Sequence, residues 1–149
     1  MKQTISREKV DNDLFIFLRT IYHYERNIAA KFGLDYQEIY CLQSLRRVSP
    51  QRLTEIATTL EVPMFTASRL VGRLVEEEYI TKVKGSRDRR SISISLLPKG
   101  ENVVKAIEED SYQNILQHAD NLNEEGLNTL FSMAETLYEV LGVPQARVK

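Results

Sequence analysis

The sequence predicts a mainly helical protein that carries one small β-ribbon. Apolar residues recur at three- and four-residue spacing along most of the 149 residues, which is typical of helices packed on one face. Residues 81–97 instead alternate apolar and polar side chains, which is typical of strands. The chain is long enough for one domain with a core. The expected order is four helices, the ribbon and two further helices.

The first four helices follow from their apolar stripes and from capping residues. A long first helix is expected to run to Gly33. Asp35 with Glu38 is a capping-box pattern that opens the second helix, which should end before Ser49-Pro50. A short third helix follows, and Pro63 suits the first turn of the fourth. The inner face of that fourth helix is predicted to hold Ala67, Leu70, Val71 and Leu74.

The ribbon and the last two helices complete the order. Two half-buried strands are predicted around a turn at Gly85 and Ser86, with an inner side formed by Val83, Ile92, Ile94 and Leu96. Pro98 marks the first turn of the fifth helix. Asn123 is the expected N-cap of the last helix, and Gly142 its end.

Cationic side chains crowd the tip of the ribbon, where Asp88 alone opposes Lys82, Lys84, Arg87, Arg89 and Arg90. Residues 43–90 hold ten basic and six acidic residues, whereas the rest of the chain holds ten basic and fifteen acidic ones. The formal net charge is only −1, but the middle of the chain is its positive end. A cationic ribbon suits a phosphate backbone and a narrow minor groove. A solvated hairpin that binds nothing is the alternative.

The central helices and the ribbon, about residues 36–98, predict a winged helix-turn-helix. Such a unit folds without the outer helices, which lie at about residues 5–33 and 101–142. Their apolar stripes are broad, so they must pack against more than this small core. Pairing with a second copy is the simplest solution. A monomer whose outer helices wrap the core is the alternative.

A resemblance to the MarR family of bacterial and archaeal transcription regulators is carried by the segment RLTEIATTLEVPMFTASRLVGRLVEEEYITKVKGSRDRRSISISLLPKG. The matching positions are Leu53, Ile56, Ala57, Leu60, Thr66, Ser68, Arg69, Leu70, Val71, Leu74, Tyr79, Ile80, Asp88, Arg89, Arg90, Leu96 and Gly100. The resemblance implies a single MarR-like domain over residues 1–149. It also implies a homodimeric regulator, a ligand-responsive repressor of a pseudo-palindromic DNA site.

Two positions depart from the family pattern. Leu97 stands where the family usually has a threonine, so the fifth helix lacks a hydroxyl cap. Glu78 stands where the family often has a glycine. Because glutamate tolerates a left-handed cap poorly, a different turn is expected there.

The predicted DNA-binding residues lie on the fourth helix and the wing. Arg69 and the short hydroxyls suit base edges, whereas Arg73, one turn further on, suits phosphate. The recognition-helix set is Phe65, Thr66, Ser68, Arg69 and Arg73. The wing set is Lys84, Ser86, Arg87, Asp88, Arg89 and Arg90, and the sequence leaves open which arginine enters the minor groove. The rival is a protein-interaction module that uses the same fold without DNA.

An effector site is predicted where the end of the first helix faces the second. Aromatic walls with one or two cations suit a small aromatic or lipophilic acid, and the resemblance implies such ligands near this junction. The proposed set is Tyr22, His23, Arg26, Tyr36, Tyr40 and Arg46. Tyrosines that merely hold two helices together are the alternative.

Enzymatic chemistry and membrane insertion find no support in the sequence. His23 and His118 are far apart and have no metal-binding spacing, so no metal or cofactor is expected. Cys41 is expected to be a buried, inert thiol. The chain has no apolar run of membrane length, and its N-terminal residues lack a signal-peptide pattern. A cytoplasmic protein is expected.

Overall fold

The computed structural model describes residues 5–84 and 91–145. Its helices are α1 (Arg7–Phe32), α2 (Tyr36–Arg47), α3 (Leu53–Leu60), α4 (Met64–Glu76), α5 (Pro98–His118) and α6 (Glu124–Leu141). Its strands are β1 (Gln51–Arg52), β2 (Ile80–Lys84) and β3 (Ile92–Leu96), and a 3-10 turn at Ala119–Asn121 separates the last two helices. The predicted fold class, mainly helical with a small β-wing, is confirmed.

Capping residues end the helices largely where the sequence predicted. Gly33 ends α1 at a left-handed φ of 67°. The Asp35–Glu38 capping box forms, with backbone-to-carboxylate distances of 2.9 and 3.1 Å. Asn123 caps α6 by accepting from the Gly126 amide at 2.8 Å. Pro63 lies at the N-cap of α4, one position before the first turn.

The expectation of a different turn at Glu78 is wrong. Glu78 adopts φ 63°, the left-handed conformation that the family's glycine favours. Its amide donates to the Val75 carbonyl at 3.0 Å, and the Tyr79 amide donates to the Leu74 carbonyl at 2.9 Å. These bonds satisfy carbonyls at the end of α4 and offset a left-handed strain of roughly 1–2 kcal/mol.

The wing is a three-stranded antiparallel sheet in the order β1-β3-β2. The sequence did not predict β1, whose Gln51 lies opposite Ile94. Val83 pairs with Ser93, so it lies on the other face of the ribbon from Ile94. Its side chain is 56% exposed, and the prediction that it is half-buried with the isoleucines is wrong. The register instead places Lys82 across from Ile94.

The core lies between α2, α3, α4 and the sheet, and the adjoining ends of α1 and α5 close it. α4 buries the four residues predicted for its inner face. Ile28 of α1 and Val104 and Ile107 of α5 belong to the same cluster. The buried amide of Gln51 donates to the Val48 carbonyl at 2.8 Å and to Ser44. A buried polar group is thereby satisfied beneath the wing.

The outer helices extend beyond this core and leave apolar faces uncovered. Ile28 is the buried residue of α1, and α6 has none. Large apolar side chains that stay more than 50% exposed on these helices are Phe15, Ile16, Leu18, Leu130, Phe131, Met133 and Val140. Exposed apolar side chains in such number are typical of an interaction surface.

Candidate nucleic-acid interface

α4 presents its outward face to solvent as the second helix of a helix-turn-helix. Glu61, at φ 53°, ends α3, and Pro63 begins the next helix. The inner stripe of α4 faces the core, which leaves Phe65, Ser68 and Arg69 exposed and Thr66 half-buried. The structure therefore places these four predicted residues where an approaching duplex can contact them.

Arg69 extends along this face toward Phe65. Its guanidinium carbon lies 5.6 Å from the centre of the Phe65 ring, within the range of a cation–π contact. Among residues 5–84 and 91–145, Arg69 forms no ion pair. Its positive charge is therefore not offset by a carboxylate of that part of the chain.

Arg73 is held differently, against the N-terminus of α2. Its guanidinium pairs with the Glu38 carboxylate and lies 3.7 Å from an oxygen of Asp35. Burial raises the pKa of Glu38, and Arg73 partly counters that rise. Sequence reasoning assigned Arg73 to phosphate and did not anticipate these partners. Arg73 ties α4 to α2, while its contact with phosphate stays a prediction.

The wing supplies cations beside α4. Lys82 of β2 and Lys84 at the end of the same strand are both exposed. The predicted contacts of Ser86, Arg87, Asp88, Arg89 and Arg90 lie outside the described residues. β2 ends at Lys84, and β3 begins at Ile92.

The start of α5 fastens the wing to the end of α4. The Leu97 amide donates to the Tyr79 carbonyl at 2.9 Å. Lys99 donates to the Glu77 carbonyl at 2.7 Å, and its ammonium lies 4.3 Å from the centre of the Tyr79 ring. A β-carbon at Gly100 would lie 2.2 Å from the Tyr79 oxygen. Glycine at this position permits the close approach, which sequence reasoning did not foresee.

Residues 34–92 match the model of the MarR family, and this match covers the helix-turn-helix and enters the last strand of the wing. The central part of the chain is therefore similar to MarR family proteins. Members of the family are DNA-binding transcriptional regulators and not enzymes. This confirms the prediction of a DNA-binding regulator and the prediction that the chain is not an enzyme.

Two relatives match this chain over different lengths. It is 28% identical over 134 residues to the "Uncharacterized HTH-type transcriptional regulator YpoP" of Bacillus subtilis, covering 88% of this chain and 95% of YpoP. It is 28% identical over 71 residues to the B. subtilis "HTH-type transcriptional repressor MdtR", covering 48% of this chain and 46% of MdtR.

Solved structures share the fold. A MarR family protein from Bacillus stearothermophilus has a TM-score of 0.76 at 19% identity, covering 93% of this chain and 99% of that one. Staphylococcus aureus MarR, solved in complex with salicylate and kanamycin, has a TM-score of 0.70 at 21% identity, covering 90% and 93%.

The predicted effector residues lie on α1 and α2. On α1, Arg26 donates to the Tyr22 hydroxyl at 3.3 Å, and the Tyr22 and His23 rings are 5.6 Å apart. On α2, the Tyr36 and Tyr40 rings meet edge to face at 4.7 Å. Tyr40 donates to Glu25 at 3.4 Å, and burial raises the pKa of Tyr36 to about 12. Tyr40 thereby links α2 to α1.

Arg46 does not offer a free cation beside those tyrosines. It pairs with Glu101 of α5 and lies 3.3 Å from a carboxylate oxygen of Glu108. Both acidic partners belong to α5, so in this structure the charge of Arg46 is offset by carboxylates.

Other candidate chemistry is limited. Cys41 is 1% exposed, and burial raises the pKa of its thiol to about 12, as expected for an unreactive cysteine. In the described part of the chain, no three His, Cys, Asp or Glu side chains gather as a metal site. No helix within those ranges has the length and apolar character needed to cross a bilayer.

Proposed function

We propose that this regulator binds a pseudo-palindromic DNA site as a homodimer and represses transcription. The observation that carries the proposal is the outward face of α4, where Arg69 stands exposed without an acidic partner among the described residues. In this arrangement two α4 helices enter successive major grooves, and the wings reach the flanking minor grooves.

Separate contacts would provide recognition and affinity. Phe65, Thr66, Ser68 and Arg69 would meet base edges, because they share the outward side of α4. Lys84 and the predicted wing-tip cations would meet phosphates, which carry no base identity. The DNA-binding lobe would span residues 36–98 of a single domain.

The homodimer is supported by the apolar faces of α1 and α6, which the chain's own core does not cover. Residues 5–20 and about 110–141 would form the interface. A two-fold dimer repeats the recognition helix and so matches a site with two half-sites. Repression is supported by the relation to MdtR, which is named a repressor.

Alanine at Arg69 is expected to weaken binding to the preferred site by roughly 1–3 kcal/mol and to reduce discrimination against other sequences, because arginine can clamp guanine. Lys84→Ala is the matched control. It should weaken binding to all duplexes alike and lower the salt slope by about 0.9 for each phosphate that is no longer neutralised. Fluorescence anisotropy with selected and scrambled duplexes measures both effects. Equal loss of discrimination in the two variants, or wild type without sequence preference, would contradict the proposal.

We further propose that a small aromatic acid releases the DNA by binding at Tyr22 and Arg26. Arg26 is exposed and its guanidinium lies 5.7 Å from the Tyr22 ring centre, a pairing that suits an aryl carboxylate. Related S. aureus MarR was solved with salicylate. Salicylate titrated into the protein–DNA complex should release DNA, and Arg26→Ala should raise the concentration needed. If Arg26→Ala does not change the salicylate concentration needed for release, this is not the effector site. A ligand that bound equally to the free and the DNA-bound protein would release no DNA.

A further inference from the structure

Two apolar side chains stand in solvent on the first turn of α4. Met64 is 45% exposed and Phe65 is 71% exposed. The inner stripe of the same helix is already filled by side chains that are 8% exposed or less. The fold therefore gains little from a large aromatic ring at position 65, and its apolar surface remains available to a partner.

A second observation ties this ring to Arg69. The guanidinium lies over the ring at 5.6 Å, and the two residues are one helical turn apart on the outward face. A ring in this position attracts the cation and narrows the set of directions that a long, flexible side chain samples. Phe65 thus directs Arg69 along the exposed face of α4.

The pair matches two features of the major groove. Thymine presents a 5-methyl group there, which is an apolar target, whereas guanine presents two acceptors that suit arginine. Residues four apart are about 6 Å apart along a helix, which corresponds to about two base-pair steps in a duplex. A phenylalanine and an arginine spaced in this way can read neighbouring base pairs.

We propose that Phe65 is a specificity-determining residue that contacts the 5-methyl group of a thymine and positions Arg69 on a guanine about two base pairs away. The inference rests on the DNA binding proposed above. It adds the identity of one base and the group on that base that is read.

The test uses the full-length protein and synthetic duplexes. A preferred site is first selected from duplexes with a randomised core. Each thymine of that site is then replaced by uracil, which removes only the methyl group, and affinities are measured by anisotropy. At one thymine in each half-site, uracil should weaken wild-type binding roughly three- to tenfold, the effect expected when one buried methyl group is removed. For Phe65→Ala, thymine and uracil should bind equally at that position.

Phe65→Leu separates the two roles of the ring. Leucine keeps an apolar contact but offers no aromatic face to Arg69, so it should retain a thymine preference and lose part of the guanine discrimination. Because position 65 is largely exposed, both variants should keep the wild-type melting temperature.

The outcomes distinguish this inference from the underlying function. If wild type selects a site but no thymine is sensitive to uracil, Phe65 does not read a methyl group. The same conclusion holds if the thymine-to-uracil ratio is unchanged in Phe65→Ala. If wild type selects no sequence at all, the proposed DNA recognition fails and this inference fails with it.

Discussion

Alanine in place of Gly100 is expected to destabilise the fold by about 3 kcal/mol, the upper part of the usual range for overpacking. The added β-carbon would lie 2.2 Å from the Tyr79 carbonyl oxygen and 3.0 Å from a methyl carbon of Leu96. The carbonyl belongs to the backbone and already accepts from the Leu97 amide, so it cannot rotate away. The higher helix propensity of alanine adds at most about 1 kcal/mol of stability, so the clash makes the net change in unfolding free energy destabilising.

Urea unfolding followed by circular dichroism measures this destabilisation, and Gly72→Ala is the matched control. Gly72 lies inside α4 with open space where a β-carbon would stand. Alanine there should stabilise the protein by about 0.5–1 kcal/mol, because it costs less backbone entropy in a helix. The two substitutions should therefore shift stability in opposite directions. Equal stability of Gly100→Ala and wild type would show that α5 does not need this close approach.

Local patterns accounted for most of the helices. The stripe on α4 is set by residues three and four apart, and the capping box at Asp35 and Glu38 by residues three apart. The face of the sheet on which Val83 lies could not be predicted from such local patterns, because it depends on the register that pairs Val83 with Ser93. The close approach at Gly100 depends on a carbonyl 21 positions away in the sequence. Such contacts follow from packing, which the periodicity alone does not specify.

For the candidate DNA interface, the sequence predicted which residues are exposed but not which arginines are paired. The exposed side of α4 is the complement of its buried stripe, so the positions of Phe65 and Arg69 followed from spacing. The partners of the other arginines did not. Arg73 contacts α2, and Arg46 contacts α5, through pairs that are 35 and 55 residues apart in sequence. Charge balance at a site is therefore known only once the helices are packed.

Glutamate in place of Leu130 is expected to separate the proposed dimer and to lower affinity for the preferred DNA site by roughly a hundredfold or more. Leu130 lies on the apolar side of α6 and is 53% exposed in the single chain. Burying its replacement against a second copy would strip water from an unpaired carboxylate, which is costly. A single chain then holds one half-site and lacks the second recognition helix that the dimer supplies.

Ser132→Glu is the control, because position 132 is about 200° around the helix from Leu130 and carries the same added charge on the polar side. Light scattering should give about twice 17.2 kDa for wild type and for Ser132→Glu, and 17.2 kDa for Leu130→Glu. DNA affinity should fall only in Leu130→Glu. Because both variants add the same charge, this result would attribute the loss of affinity to separation of the dimer and not to the change in net charge. A wild type that scatters as a single chain would overturn the dimer. So would full DNA affinity in Leu130→Glu, because it would show that one recognition helix is enough.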